Sequence, residues 1–178
     1  RTAASLIAEE PQYSKLAARL LVVYADKEVQ NQDIHSFSQS VKAGHNLGLI
    51  DDGVASFVVE NSRKLNDAID ATRSSLFEYF GVRTLYDRYL LKHPETRESI
   101  ETPQHFFLRV ACGLAQSPAE AIDLYRLMSN LDYMPSSPTL FNSGTRHPQM
   151  SSCYLLDSPQ DDLESIYNRY TDIAKLSK

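Results

Sequence analysis

Residues 134–157 read MPSSPTLFNSGTRHPQMSSCYLLD, and the composition of the chain changes there. Three prolines, a glycine and several hydroxyl side chains fall within residues 134–150, which argues against a regular helix or a central strand and predicts an ordered loop. Such a loop presents backbone amides and hydroxyls that suit phosphate or ribose oxygens. Residues 151–157 then predict a buried strand, which places Cys153 where the loop becomes sheet.

The chain before this loop has the periodicity of helices. Apolar residues from Tyr13 to about Val29 recur at helical spacing and predict a long amphipathic helix. Asp33 is predicted to cap a second helix. The pairs Thr102–Pro103 and Ser117–Pro118 each combine a capping residue with a proline in the first turn, and each predicts the start of a further helix.

Two other segments have their own patterns. The period changes between Tyr86 and Ile100, which predicts a short β-hairpin. Near the end of the sequence, apolar residues from Leu163 to Ile173 predict a helix with Asp161 and Asp162 at its amino end. The helix dipole favours carboxylates there, so capping alone accounts for both aspartates and a ligand is not required to explain them.

Length and charge limit the classes of protein that fit. The chain has 178 residues, 18 of them basic and 23 acidic, a net charge of −5, and 42% hydrophobic residues. These values suit one modest globular unit and exclude a disordered tail or a strongly basic nucleic-acid binder. No apolar run approaches the roughly 18 residues of a membrane span, and no secretory signal opens the chain. We therefore predict a cytoplasmic protein without a membrane or nucleic-acid partner, and the missing initiator methionine suggests a piece of a larger one.

The two cysteines, Cys112 and Cys153, are considered one at a time. Neither belongs to a Cys-x-x-Cys pair or a Cys/His cluster, so no metal site is predicted. Cys112 falls within a predicted helix and is interpreted as a small buried apolar side chain. For Cys153 the residues alone leave two interpretations open, a buried structural thiol or a reactive thiol beside a polar loop.

Several motifs resemble one family. The segments SPTLFNSGT (137–145) and RHPQMSSC (146–153) closely resemble the signature of the large subunit of class I ribonucleotide reductases. Upstream, YFGVRTL (79–85) and PQH (103–105) resemble the helical region that precedes the catalytic barrel in that family. Downstream, DDLESIY (161–167) continues the resemblance, which therefore spans nearly the whole chain.

The resemblance implies roles at the active site. Cys153 corresponds to one of two thiols that reduce the ribose 2′ position and become a disulfide, because a dithiol supplies two electrons. Ser137 and Ser152 correspond to positions that contact the substrate nucleotide together with Cys153, and hydroxyls are suitable partners for a diphosphate and a ribose. Cys112 matches no redox cysteine of the family.

The resemblance also implies an allosteric site. Asp161, Asp162 and Leu163 resemble the segment that binds a deoxynucleoside triphosphate effector, and Lys178 stands where a lysine of the same site is expected. Contact of Asp161 with a ribose hydroxyl and of Lys178 with phosphate is chemically sensible. The family places this site at a subunit interface, so the apolar stripe of the last helix is expected to face a second copy.

The fold implied by the resemblance is mainly α. A helical amino-terminal region, residues 1–134, is followed in residues 135–178 by the first strand and helix of a ten-stranded α/β barrel. The barrel rests on the resemblance alone, not on periodicity. The radical-bearing cysteine and the second redox cysteine of the family are absent from this sequence, so the fragment alone is expected to be inactive.

The implied function of the parent protein is reduction of ribonucleoside diphosphates to deoxyribonucleotides for DNA synthesis. The chain itself would need no cofactor or metal. Deoxynucleoside triphosphates or ATP would act as effectors, a metal-containing small subunit would supply the radical, and a thioredoxin or glutaredoxin-type protein would reduce the disulfide. The large subunit would form a homodimer.

Two alternatives remain at this stage. A cobalamin-dependent reductase has a similar loop and redox cysteine, although the helical segment from Leu16 to Gln116 favours class I. A non-catalytic helical fragment that works only by assembly is the second. If the parent protein requires a metalloprotein partner for activity, the class I interpretation is favoured over the cobalamin-dependent one. If mixing with a complementary carboxy-terminal fragment gives no activity, the non-catalytic fragment is favoured.

Overall fold

The computed structural model describes residues 2–177, and these residues are mainly helical. This range contains no β-strand, and its β pairing is limited to the isolated antiparallel bridges Ile50–Thr145 and Lys92–Ser99. Ten α-helices lie within the described residues: α1 (Thr2–Ser5), α2 (Tyr13–Gln30), α3 (Phe37–Asn46), α4 (Asp52–Glu60), α5 (Ser62–Asp67), α6 (Tyr79–Thr84), α7 (Pro103–Leu114), α8 (Pro118–Ser129), α9 (Ser137–Asn142) and α10 (Leu163–Leu176). Short 3₁₀ turns at Leu6–Ala8 and Ala71–Leu76 and a π-helical turn at Leu85–Tyr89 complete the regular structure of this range. The prediction of a mainly α fold is confirmed.

Helices α7 and α8 begin where their capping residues predict. The Thr102 hydroxyl accepts a hydrogen bond from the His105 amide at 3.2 Å, and the Ser117 hydroxyl accepts one from the Glu120 amide at 3.3 Å. Each helix has its proline in the first turn. The absent N–H of proline is tolerated there because amides of the first turn have no acceptor within the helix. These two caps are local signals, and the structure confirms both.

Helix α2 occupies the predicted range, but the start predicted for the next helix is wrong. Ser36, not Asp33, caps α3: its hydroxyl accepts a hydrogen bond from the Gln39 amide at 3.3 Å. Asp33 instead has a φ of 59°, in the left-handed region that Asp tolerates better than most residues. The aspartate therefore belongs to the turn that leaves α2.

Helix α7 lies at the centre of the molecule. All its residues from Pro103 to Cys112 are buried, as expected of a helix with neighbours on every side. It packs against α8, and the stacked rings of Phe77 and Phe107 join it to the segment before α6, with centroids 6.0 Å apart. One core cluster of apolar residues thus includes side chains from α2, α3, α4, α7 and α8.

The chain reversal in the segment predicted as a β-hairpin is shorter than predicted, and it begins after Tyr86. Residues 85–89 form the π turn, closed by the Leu90 amide on the Leu85 carbonyl at 3.1 Å. The chain then reverses around the Lys92–Ser99 bridge, where the His93 amide donates to the Glu98 carbonyl at 2.8 Å. The direction change is as predicted, but its arms are too short to be strands.

The predicted loop at 134–150 contains helix α9, so the prediction that a regular helix is excluded is wrong. Pro138 lies in the first turn of α9, where proline is tolerated because its absent N–H would have no helical partner. The prediction of a buried strand at residues 151–157 is also wrong for this structure. That segment has no regular secondary structure and is largely exposed, with Leu155 101% exposed, and no described residue forms a β-bridge with it.

None of the helices within residues 2–177 combines the length and the apolar composition that crossing a bilayer requires.

Candidate functional site

The loop that follows α9 is attached to α7 through Arg109, whose guanidinium also forms a buried ion pair with Glu101. The Arg109 Nε donates to Glu101 Oε1 at 2.5 Å, and Arg109 Nη1 donates to the Ser143 carbonyl at 2.5 Å. The Arg109 and Glu101 side chains are 0% and 2% exposed. Glu101 also accepts the Leu91 amide at 2.9 Å. Removing a charged side chain from water costs free energy, so a buried charge is found only where it is paired and hydrogen-bonded. The paired Arg109 side chain therefore holds the Ser143 carbonyl, and with it the loop, in one place.

Close backbone approach fixes the same loop from a second direction. A Cβ atom on Gly113 would overlap the Gly144 amide nitrogen and the Ser143 hydroxyl. Gly144 itself has a φ of +77°, which favours glycine. The Ser143 hydroxyl donates to the Val110 carbonyl at 2.8 Å, so backbone and side chain both lie against α7.

The far side of the loop contacts α4 and the residues before it. Thr145 pairs with Ile50, and Arg146 Nη2 lies 2.9 Å from Asp52 Oδ1. His45 Nε2 lies 2.8 Å from the same oxygen. The hydrogen bond from His45, followed by the charge of Arg146, lowers the pKa of Asp52 below its usual value. The segment that leads toward Cys153 is therefore anchored up to Arg146.

Ser137 is the first residue of α9 and is exposed. Its Oγ lies 2.9 Å from the Tyr89 hydroxyl, which joins α9 to the end of the π turn. The Tyr89 ring stacks on Phe141 with centroids 4.3 Å apart. Beside this contact is an open apolar groove of about 470 Å³, lined in part by Tyr89, Leu140 and Met134.

Ser152 and Cys153 lie in the irregular segment after the loop. Both are exposed, and the Ser152 Oγ and Cys153 Sγ atoms are 3.8 Å apart. Ser152 also lines a small cavity of about 260 Å³ against the carboxyl end of α10, at Ile173 and Leu176. Two of the three predicted substrate residues, Ser152 and Cys153, are thus adjacent, and Cys153 is a free thiol open to solvent, not a buried structural one.

The residues predicted for the effector site lie at the start of α10. Asp162 caps this helix, accepting the Ser165 amide at 2.9 Å, while Asp161 is exposed just before it. Leu163 is 76% exposed, and the apolar stripe that continues along α10 is exposed with it. Lys178, the fourth predicted residue, lies outside the described residues.

Cys112 differs from Cys153 in its exposure to solvent. It lies within α7 and is 4% exposed, and burial raises the pKa of its thiol to about 12. A thiol that is both inaccessible and protonated is a poor nucleophile. Over residues 2–177 no group of three or more His, Cys, Asp or Glu side chains is arranged to hold a metal ion.

Sequence reasoning missed the residues that hold the loop. Arg109, Glu101 and Gly113 were not singled out, although each takes part in the contacts that hold the loop. The contact of Tyr89 with Ser137 was not foreseen either. One signal was available, because Arg109 interrupts the otherwise apolar run FFLRVAC at residues 106–112. A charged residue inside a buried helix face needs a charged or polar partner.

The family model described as the all-alpha domain of ribonucleotide reductase matches residues 75–148. The chain is 37% identical to the ribonucleoside-diphosphate reductase large chain of Cryptosporidium parvum, over 100% of this chain and 22% of that protein. It is 38% identical to large chain 2 of Saccharomyces cerevisiae over 99% of this chain and 21% of that one. It is 40% identical to the subunit alpha of Chlamydia muridarum over 97% of this chain and 17% of that one.

The chain therefore belongs to the family of ribonucleoside-diphosphate reductase large subunits. It spans about a fifth of the length of the curated relatives it matches, and it matches their amino-terminal part.

Proposed function

We propose that this chain is the amino-terminal part of a ribonucleoside-diphosphate reductase large subunit, an oxidoreductase that converts ribonucleoside diphosphates to deoxyribonucleoside diphosphates. The observation that carries the proposal is Cys153, a free and exposed thiol beside the Ser152 hydroxyl, at the end of a loop anchored to α7. The names of the relatives support the same function. Within this proposal residues 1–134 are the helical region and residues 135–178 begin the barrel.

The reaction balances as a two-electron reduction. The ribose 2′ carbon loses its hydroxyl group as water and gains hydrogen, while Cys153 and a second cysteine elsewhere in the subunit each lose a hydrogen and form a disulfide. A metal-containing small subunit supplies the radical that starts the reaction and receives it back at the end. A thioredoxin or glutaredoxin-type protein then reduces the disulfide. Cys112 is unsuited as the second thiol because it is buried within α7.

Substrate binding is assigned to hydroxyl groups on the two sides of the loop. Ser137 and Ser152 are both exposed, and each side chain can donate one hydrogen bond and accept two. These groups suit the oxygens of a diphosphate and a ribose. The names "large chain" and "subunit alpha" favour a class with a small partner subunit over the cobalamin-dependent alternative.

A complementation experiment tests the proposal with the chain as it is. Residues 1–178 are mixed with the complementary carboxy-terminal fragment of the large subunit and the radical-bearing small subunit, and deoxyribonucleoside diphosphate is measured. We expect product from the mixture and none from either fragment alone, because the redox cysteines are then divided between them. If no combination forms product while the uncut subunit does, the chain is a non-catalytic assembly fragment.

The effector site is proposed at the start of α10, where Asp161 would accept a hydrogen bond from the effector ribose and Lys178 would contact its phosphates. Asp162 and Leu163 complete the segment, and the exposed stripe of α10 would face a second copy of the subunit. A carboxylate that already caps a helix, as Asp162 does, is less available to a ligand than the exposed Asp161. Effector binding is therefore expected to depend more on Asp161.

Replacing Asp161 by alanine in the large subunit should weaken the effector response and change the preferred base, because the ribose loses a hydrogen-bond acceptor. Loss of one hydrogen bond to a charged group corresponds to roughly a tenfold to hundredfold rise in the effector concentration needed. Effector titrations of substrate reduction measure the change. Asp157→Ala, which removes an exposed carboxylate from the same segment, is the matched control. Titrations identical to those of the unchanged subunit would contradict the assignment.

A further inference from the structure

The hydroxyl of Tyr89 and the hydroxyl of Ser137 form a hydrogen bond across 48 residues of sequence, with 2.9 Å between the oxygens. Tyr89 ends the π turn at Leu85–Tyr89, and Ser137 begins α9. Because the bond joins two side chains, it satisfies no backbone N–H or C=O group of the π turn or of α9. The bond therefore relates one element to the other at the place where a substrate-binding hydroxyl is proposed.

Aromatic packing fixes the Tyr89 ring independently of this bond. The ring stacks on Phe141 at an interplanar angle of 13°, and its edge meets Phe106 with centroids 6.1 Å apart. Phe106 is 0% exposed, so it belongs to the rigid core around α7. The next residue, Leu90, is also buried and closes the π turn through its amide. The phenol oxygen is consequently held in place before any ligand arrives.

A fixed phenol changes what the Ser137 hydroxyl can do. A serine hydroxyl has a single proton and two acceptor sites, and on an exposed residue it rotates freely. When the Tyr89 hydroxyl donates to Ser137 Oγ, the serine proton is left to point outward toward a ligand oxygen. Chained hydrogen bonds of this kind also strengthen one another. The ligand then meets a donor whose orientation has been selected in advance.

We propose that Tyr89 is a positioning residue that orients the Ser137 hydroxyl toward the ribonucleoside diphosphate. This inference rests on the proposed function, in which Ser137 contacts the substrate. Tyr89 acts through Ser137.

Tyr89→Phe in the large subunit tests the proposal because it keeps the ring and removes only the hydroxyl. With the small subunit present, we expect the KM for the ribonucleoside diphosphate to rise about three- to tenfold, the effect of one neutral hydrogen bond. The kcat should stay unchanged, since neither hydroxyl is assigned to the reacting carbon. In a Ser137→Ala background the same substitution should have no further effect on KM, because the group it orients is gone.

Tyr86→Phe is the matched control. Tyr86 lies in the same π turn, and its hydroxyl donates to Glu28 Oε2 at 2.8 Å, away from Ser137. Its loss should leave KM unchanged. An equal rise in KM for Tyr86→Phe would overturn the proposal, because the effect would then come from a loosened π turn.

The outcomes also separate this inference from the function on which it rests. If Ser137→Ala raises KM and Tyr89→Phe does not, the positioning role of Tyr89 is wrong and the substrate contact of Ser137 stands. If Ser137→Ala leaves KM unchanged, the substrate contact is wrong and the positioning role is overturned with it. A rise in KM for both single variants without a further rise in the double variant supports the proposal.

Discussion

Replacing Arg109 by methionine should lower the free energy of unfolding by about 3–5 kcal/mol, because the substitution leaves the Glu101 carboxylate buried without its partner. The same change removes the donor that holds the Ser143 carbonyl. Urea unfolding of the chain, followed by circular dichroism, measures the loss. We also expect faster amide exchange at Gly144 and Thr145, since the loop loses one of its attachments to α7.

Two controls distinguish the effect of breaking the buried ion pair from the effect of removing an arginine charge anywhere in the chain. Arg126→Met removes an exposed arginine that pairs with Asp123, and it should cost no more than about 1 kcal/mol. The double variant Arg109→Met/Glu101→Leu should be more stable than Arg109→Met alone, because no unpaired charge remains. An unfolding midpoint for Arg109→Met equal to that of Arg126→Met would show that the ion pair does not hold the loop.

Replacing Cys153 by serine in the large subunit should abolish deoxyribonucleotide formation with dithiol reductants. A serine hydroxyl cannot form the disulfide that accounts for the two electrons delivered to the ribose. Effector binding should be nearly unchanged, because the proposed effector residues begin at Asp161. Turnover assays and effector binding on the same preparation measure both effects.

Cys112→Ala is the matched control for this variant. It removes the other thiol of the chain, which lies buried in α7, and it should retain turnover at the cost of some stability. Turnover by Cys153→Ser at the rate of the unchanged subunit would refute the redox role of Cys153.

The helical part of the fold was predictable where its signals are local. The caps at Thr102 and Ser117 each need only a hydroxyl, a proline and an amide three residues on, all visible in the sequence. Asp33 shows the limit of such signals, because aspartate is equally suited to a cap and to a left-handed turn residue. The choice between them depends on where the preceding helix ends.

The sequence-based predictions near the proposed site were wrong or incomplete because the structure there depends on contacts between distant parts of the chain. A strand at residues 151–157 needs a neighbouring strand to pair with its backbone, and the described residues supply none. The anchoring of the loop depends on Arg109 and on Ser143, which lie 34 residues apart. Composition correctly showed an ordered, hydroxyl-rich segment, but its attachment to α7 could not be read from local patterns.

We propose that Cys153 becomes oxidised as a ribonucleotide is reduced. The most direct test is one round of turnover by the large and small subunits without external reductant, followed by denaturation, alkylation and mass spectrometry of the cysteine peptides. Cys112 serves as the internal reference, because its buried thiol, with a pKa raised to about 12, should stay reduced during turnover and be alkylated only after denaturation. We expect Cys153 to resist alkylation in proportion to the product formed and to react again after dithiol treatment. Full alkylation of Cys153 in a sample that has formed deoxyribonucleoside diphosphate would show that Cys153 is not the thiol that reduces the ribose.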